Sequence, residues 1–173
     1  MLRRIAVTCA TSGIGRAVCE RLVDSQHDLV LFGRDQGRLS GMQHRLAAKG
    51  PSRVETWRVD FDIPDDLDKL ATDDQEWLGR IDGLVVIYPR IASRPTAILP
   101  RAENRDVWQR CFLGPLELIR VILGHVNPDG RVVIVSGISN AQVFPRSAWR
   151  TPCERLCRDG RRDRWGGDRT RRR

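Results

Sequence analysis

The chain has 173 residues, of which 40% are apolar, 30% charged and 6% aromatic. That is the length of one ordinary domain, with enough apolar material for a core and too mixed a composition for a collagen-like or wholly disordered chain. No apolar run approaches the roughly 18 residues of a membrane helix, and the N-terminal apolar stretch is too short for a secretory signal, so a soluble cytoplasmic protein with no membrane partner is expected. The formal charge of +8 sits almost entirely in residues 146–173, where 11 arginines face four carboxylates for a net +7. The rest of the chain is close to neutral. Five cysteines (9, 19, 111, 153 and 157) form no Cys-x-x-Cys pair, which reads as reduced thiols rather than a disulfide framework.

Residues 4–8 form a short apolar strand, after which Ser12-Gly13-Ile14-Gly15 opens a helix to about residue 23. A second strand covers 28–32 and stops at Gly33, followed by a helix over 35–48 that Gly50-Pro51 ends. Residues 54–59 are a third strand, and Asp62-Ile63-Pro64 starts the next helix. The continuous apolar run 81–88 suits a strand buried on both faces. Pro89, Pro95 and Pro100 mark a loop, residues 106–126 a helix, and 131–135 a fifth strand. Strands alternating with helices imply an α/β fold, a Rossmann-like parallel sheet wound on both faces, with ligands beyond the C-terminal strand ends. Residues 149–173 have few aliphatic side chains and no sustained stripe, so a domain over 1–148 with a disordered arginine-rich tail over 149–173 is expected.

The first strand–turn–helix carries the chemistry. Its turn reads Thr8-Cys9-Ala10-Thr11-Ser12-Gly13-Ile14-Gly15, in which glycine lets the backbone approach a pyrophosphate held on the amides and positive end of the helix. Ser12 can cap that helix. The bland alternative is a strand-to-helix turn with no ligand. After the second strand, where an acid would bond a ribose 2′-hydroxyl, stands Gly33-Arg34. Arg34 lies at the wrong end of a helix dipole for a cation, and a bound phosphate would relieve that. NADP(H) is therefore favoured, with NAD(H) also open.

These residues resemble the short-chain dehydrogenase/reductase family, whose fingerprint is Thr-Gly-x-x-x-Gly-x-Gly. The similarity continues in LVLFGRDQGRL (30–39), VDFD (59–62), IDGLVV (81–86) and GPLELIRVILGHVNPDGRVVIVS (114–136). The resemblance implies an NADP(H)-dependent oxidoreductase of carbonyl or alcohol substrates. It places Thr8, Thr11, Ser12, Gly13, Ile14 and Gly15 at the phosphate turn, Gly33 and Arg34 at the ribose, and Asp60 and Phe61 at the adenine.

Departures from the family pattern are equally specific. Cys9 replaces its first glycine. The segment Val86-Ile87-Tyr88-Pro89 replaces Asn-Asn-Ala-Gly, and Cys111 stands where an asparagine is expected. Near the family's catalytic serine lie Ser136 and Ser139. Its Tyr-x-x-x-Lys should fall near residues 147–152, yet the only tyrosine is Tyr88, and Lys49 and Lys69 lie far upstream. In the family, about 80–100 further residues supply the catalytic helix and substrate lobe. The abrupt change to arginine-rich sequence is what a shifted reading frame of a GC-rich gene would produce.

A catalytically impaired family member is thus expected, with a non-catalytic NADP(H)-sensing module as an alternative. Polyanion binding through the tail is a third reading, because 11 arginines would give salt-dependent, sequence-independent affinity. The tail has no recognition motif, so nucleic acid is the less favoured partner. No metal site is expected, because no histidine joins Cys153 and Cys157. In the family, dimers form through the helix that contains residues 114–126 together with the helix that follows it, and only the first is legible here, which leaves a homo-oligomer open. The small-molecule substrate cannot be named.

Overall fold

The computed structural model describes residues 3–72, 79–87 and 101–135. The elements run β1 (Arg4–Val7), α1 (Gly13–Asp24), β2 (Asp28–Gly33), α2 (Gln36–Ala47), β3 (Val54–Arg58), α3 (Pro64–Thr72), β4 (Ile81–Ile87), α4 (Arg101–Trp108), a π turn (Gln109–Leu113), α5 (Gly114–Leu123) and β5 (Val126–Val135). The strands form one sheet in the order β3-β2-β1-β4-β5, and every pairing is parallel. The first strand in sequence is therefore the middle strand of the sheet, as a doubly wound α/β fold requires.

Strand periodicity divides the core in two. Ala6, Val30, Phe32, Leu84 and Val86 point to one face, where they meet Leu67 and Leu70 of α3 and Leu118 and Ile122 of α5. Val7, Leu29, Leu31 and Ile87 point to the other, against Cys19 and Val23 of α1 and Leu39, Met42 and Leu46 of α2. This two-sided burial explains why the strands read as continuous apolar runs rather than alternating ones. Helix α1 begins with Ser12, whose hydroxyl accepts from the Gly15 amide at 3.0 Å. It ends with Gln26 at φ 60, where the Gln26 amide donates to Val23 O and the His27 amide to Leu22 O, a Schellman-type closure.

Two long-range polar contacts hold β1 against β4. The Thr8 hydroxyl donates to Ile87 O at 2.9 Å and accepts from the Ile87 amide at 2.7 Å, both buried. At the other end, Asp82 accepts from the Arg4 amide at 2.9 Å and from Asn127 Nδ2 at 2.8 Å, and these bonds hold its carboxyl below the usual range.

Two expectations need correction. The helix expected over 106–126 starts earlier and is interrupted: α4 begins at Arg101, the π turn follows, and α5 stops at Leu123. The π turn widens a single turn by one residue, too local a change to stand out among the apolar residues around it. The fifth strand begins at Val126 rather than 131, because the pairing passes from Ile81↔Val126 to Gly83↔Arg131 through a bulge. Asn127-Pro128-Asp129-Gly130 reads as a turn but lies within the strand. Gly130 is required there, since a Cβ would come within 2.5 Å of Val126 Cγ1.

Candidate functional site

The segments leaving β1, β2 and β3 meet at the C-terminal edge of the sheet, where parallel α/β folds place their ligands. They enclose a cleft of about 390 Å³, with walls from Cys9, Thr11 and Ser12, from Phe32, Gly33, Arg34 and Arg38, and from residues 59–62. Arg110 of the π turn also lines it.

The first wall is the β1–α1 turn. The Ala10 amide donates to Phe32 O and the Ser12 amide to Cys9 O, each at 3.0 Å, so the turn is fixed to β2 and folded on itself. Gly15 lies against the turn so closely that a Cβ would come within 2.4 Å of Cys9 O and 2.7 Å of Ala10 O. A Cβ on Gly13 would meet nothing within 4 Å. Gly13 and Ile14 are both exposed at the start of α1, and the first turn of that helix carries no acidic side chain. Its positive end is thus open to an anion.

Cys9 adopts φ 47, a left-handed conformation that favours glycine, with a side chain in place of the family's glycine. For a residue with a Cβ this costs on the order of 1–2 kcal/mol. Burial pushes the Cys9 thiol up to about 11, partly offset by Arg34, so the thiol is protonated and inert at neutral pH. Cys9 also packs against both halves of the core. Cys9→Gly therefore relieves strain but loses packing, and its melting temperature is expected to stay within a few degrees of the parent. Its affinity for a nucleotide in the cleft is expected to rise by about tenfold as the thiol leaves the wall. Unchanged or weaker binding by titration calorimetry would show that Cys9 does not obstruct the cleft.

The second wall carries positive charge. Arg34 is exposed and has no counter-ion among the described residues. Asp35, next to it, caps α2 by accepting from the Arg38 amide at 3.0 Å, and Arg38 Nε lies 3.4 Å from the same carboxylate. The third wall is set by Asp66. Its carboxylate is buried and accepts from Arg58 Nη1 at 2.7 Å and from the Asp60 amide at 3.0 Å. Asp60 in turn accepts from the Asp62 amide at 3.1 Å. Asp62 binds the Arg110 guanidinium with contacts of 2.7–2.9 Å, which ties the π turn to the mouth of the cleft. Phe61 is 9% exposed and belongs to the core as much as to the cleft, and it lies under Gly114, where a Cβ would come within 2.6 Å of its own.

Thr11, Ser12, Gly33, Arg34, Asp60 and Phe61 therefore gather in one cleft, while Gly13, Ile14 and Gly15 begin the helix beyond its wall. Thr8 does not line this cleft: it is 1% exposed with its hydroxyl committed to Ile87. Arg38 and Arg110 are cleft residues that the sequence reading did not single out. Arg38 stands in the first turn of α2, three residues after the Asp35 cap and four after Arg34, and that closeness to the end of β2 is a signal that could have found it. Nothing in the sequence marks Arg110. Ser136, Ser139, Tyr88 and the arginine-rich segment lie outside the described residues. Among the described residues no three His, Cys, Asp or Glu side chains group as metal ligands, and no helix is long and apolar enough to cross a membrane.

A five-stranded parallel sheet in this order, covered on both faces and cleft at its C-terminal edge, defines a Rossmann-like domain. The chain belongs to the short chain dehydrogenase family, whose profile matches residues 3–149. It is 37% identical over 147 residues to an uncharacterized oxidoreductase of Staphylococcus saprophyticus, covering 82% of this chain and 61% of the relative. It is 28% identical over 155 residues to dehydrogenase/reductase SDR family member 7B of Xenopus laevis, covering 84% and 47% respectively. The chain thus spans between about half and three-fifths of the length of these curated relatives. An NADPH-bound short chain oxidoreductase from Pseudomonas aeruginosa PAO1, described as having an atypical catalytic center, matches with a TM-score of 0.81 at 20% identity. That match covers 94% of this chain and 64% of the other, and the likeness is one of fold.

Proposed function

We propose that the cleft holds a nicotinamide dinucleotide, NADP(H) in preference to NAD(H), and that residues 1–148 are the cofactor-binding part of a carbonyl or alcohol oxidoreductase. The observation that carries this reading is the convergence on one cleft of the α1 N-cap Ser12, of Arg34, which has no counter-ion among the described residues, and of the Asp60–Phe61 wall. The Gly13 and Ile14 amides suit the pyrophosphate, Arg34 a ribose 2′-phosphate, and Asp60 and Phe61 the adenine. The NADPH of the Pseudomonas aeruginosa oxidoreductase, which shares this fold, supports the same choice.

When bound, the cofactor would supply or accept a hydride. Proton transfer to the substrate oxygen needs a separate acid. The family's tyrosine–lysine pair has no counterpart near residues 147–152, and Ser136 or Ser139 alone would orient a carbonyl without protonating it. Hydride transfer is therefore impaired in this reading, which leaves the arginine-rich 149–173 out of the proposed cofactor-binding part. The NADP(H)-sensing alternative makes the same binding prediction and differs only in requiring a partner.

Thermal unfolding of the 173-residue chain with NADPH and with NADH tests the reading. At a hundredfold excess over Kd, NADPH is expected to raise the melting temperature by about 5–10 °C. Arg34→Asp is expected to weaken NADPH by about 10–100-fold and leave NADH nearly unchanged. A chain that melts identically with and without either nucleotide has no such site.

A further inference from the structure

We propose that the groove between α1 and α2 is a second anion site, built for a phosphate dianion and separate from the amides that open α1. The groove encloses about 530 Å³ and is lined by Thr11, Arg16, Arg38, Gly41, Met42 and Arg45. Thr11 and Arg38 also line the nucleotide cleft, so the two depressions share a wall. Three arginines from two helices thus converge on one concavity.

The placement of Arg16 is unfavourable unless an anion joins it, whereas Arg45 lies in the last turn of α2, where the dipole favours a cation. Arg16 lies in the first turns of α1 and Arg38 in the first turn of α2, where the helix dipole repels a cation. Helix α1 has no acid in its first turn to offset this, whereas in α2 the N-cap Asp35 does so for Arg38. Arg16 has no ion-pair partner among the described residues. Arg38 and Arg45 have partners, Asp35 at 3.4 Å and Glu20 at 3.2 Å, but those pairs are largely solvent-exposed and so contribute little. A phosphate can take these guanidiniums without opening a buried bond, and the planar fork of arginine matches two of its oxygens. The Thr11 hydroxyl lies at the shared wall, where it can donate to the same group.

One chemistry admits two sources: the 2′-phosphate of a nucleotide in the adjoining cleft, or a free phosphate or phosphomonoester. The first measurement needs no nucleotide and stands apart from the dinucleotide reading. Inorganic phosphate is titrated into the full chain at constant ionic strength while thermal unfolding is followed. A saturable rise in melting temperature is expected, with phosphate affinity reduced by about tenfold or more in Arg16→Gln/Arg45→Gln. All three exposed arginines lie outside the core, and Arg16→Gln alone serves if the double variant melts early. A chloride control that reproduces the rise, or a variant that keeps it, overturns the site. Repeating the titration with NADP⁺ and with NAD⁺ separates the sources. Loss of the phosphate effect with NADP⁺ alone assigns the groove to the ribose phosphate, and persistence with both assigns it to an independent phosphate ligand. If neither nucleotide binds, the dinucleotide reading fails and the phosphate result decides the groove alone.

Discussion

Replacing Gly15 by alanine is expected to lower stability by about 2–4 kcal/mol, or on the order of 5–10 °C in melting temperature. In an open helix the same change would gain up to about 1 kcal/mol from helix propensity. Here the new methyl would sit 2.4 Å from Cys9 O and 2.7 Å from Ala10 O, atoms of a turn already fixed by the Ala10 and Ser12 amides. Either α1 lifts from the sheet or the turn opens. Gly13→Ala is the internal control, because its methyl meets nothing within 4 Å. That variant should melt at or slightly above the parent temperature and still bind nucleotide less well, its methyl standing where the pyrophosphate would approach. If Gly15→Ala melts with the parent, the turn is not packed as described.

The second large effect is expected at Thr8. Valine has nearly the same shape, so Thr8→Val keeps the packing and removes a hydroxyl that both donates to and accepts from Ile87. A buried polar group deprived of its partner costs about 1–3 kcal/mol, and two are affected here. A loss of about 2–3 kcal/mol follows, measured by chemical denaturation, with the midpoint falling and the slope unchanged. Thr8→Ser, which keeps the hydroxyl, should lose less than half as much. Equal losses in the two variants would show that the methyl matters and the hydroxyl does not.

Thr8 also shows where the sequence stops being informative. Its place in the phosphate fingerprint suggests contact with the cofactor, but the direction of a single hydroxyl depends on a strand 79 residues away. Apolar pattern and turn chemistry locate β1, β2 and β3 to within about a residue: β2 is an unbroken apolar run buried on both faces, and the edge strand β3 is bounded by Gly50-Pro51 before it and Asp60 after it. The same signals fail where one residue is added without a change of polarity, as at the π turn, or where a turn-like tetrad is absorbed into a strand, as at 127–130. Within the cleft, the turn, Gly33-Arg34 and Asp60-Phe61 are legible because each follows a strand directly. Arg110 is not, because only the π turn and its ion pair with Asp62 bring it there.

The central position of β1 has a consequence for how the molecule is made. During synthesis β1 acquires its β2 neighbour after one helix, but its other neighbour, β4, is 78 residues further along at the Arg4–Asp82 contact. At about 5–20 residues per second, β1 waits on the order of 4–16 s with one edge open. Pairing across so long a loop is also intrinsically slow. The unit β1-α1-β2-α2-β3 must therefore persist as a half-sheet whose inner edge, rather than its rim, is exposed to other nascent chains. Closure of β4 onto β1, secured at its two ends by Asp82 and Thr8, is the event that ends this vulnerable interval.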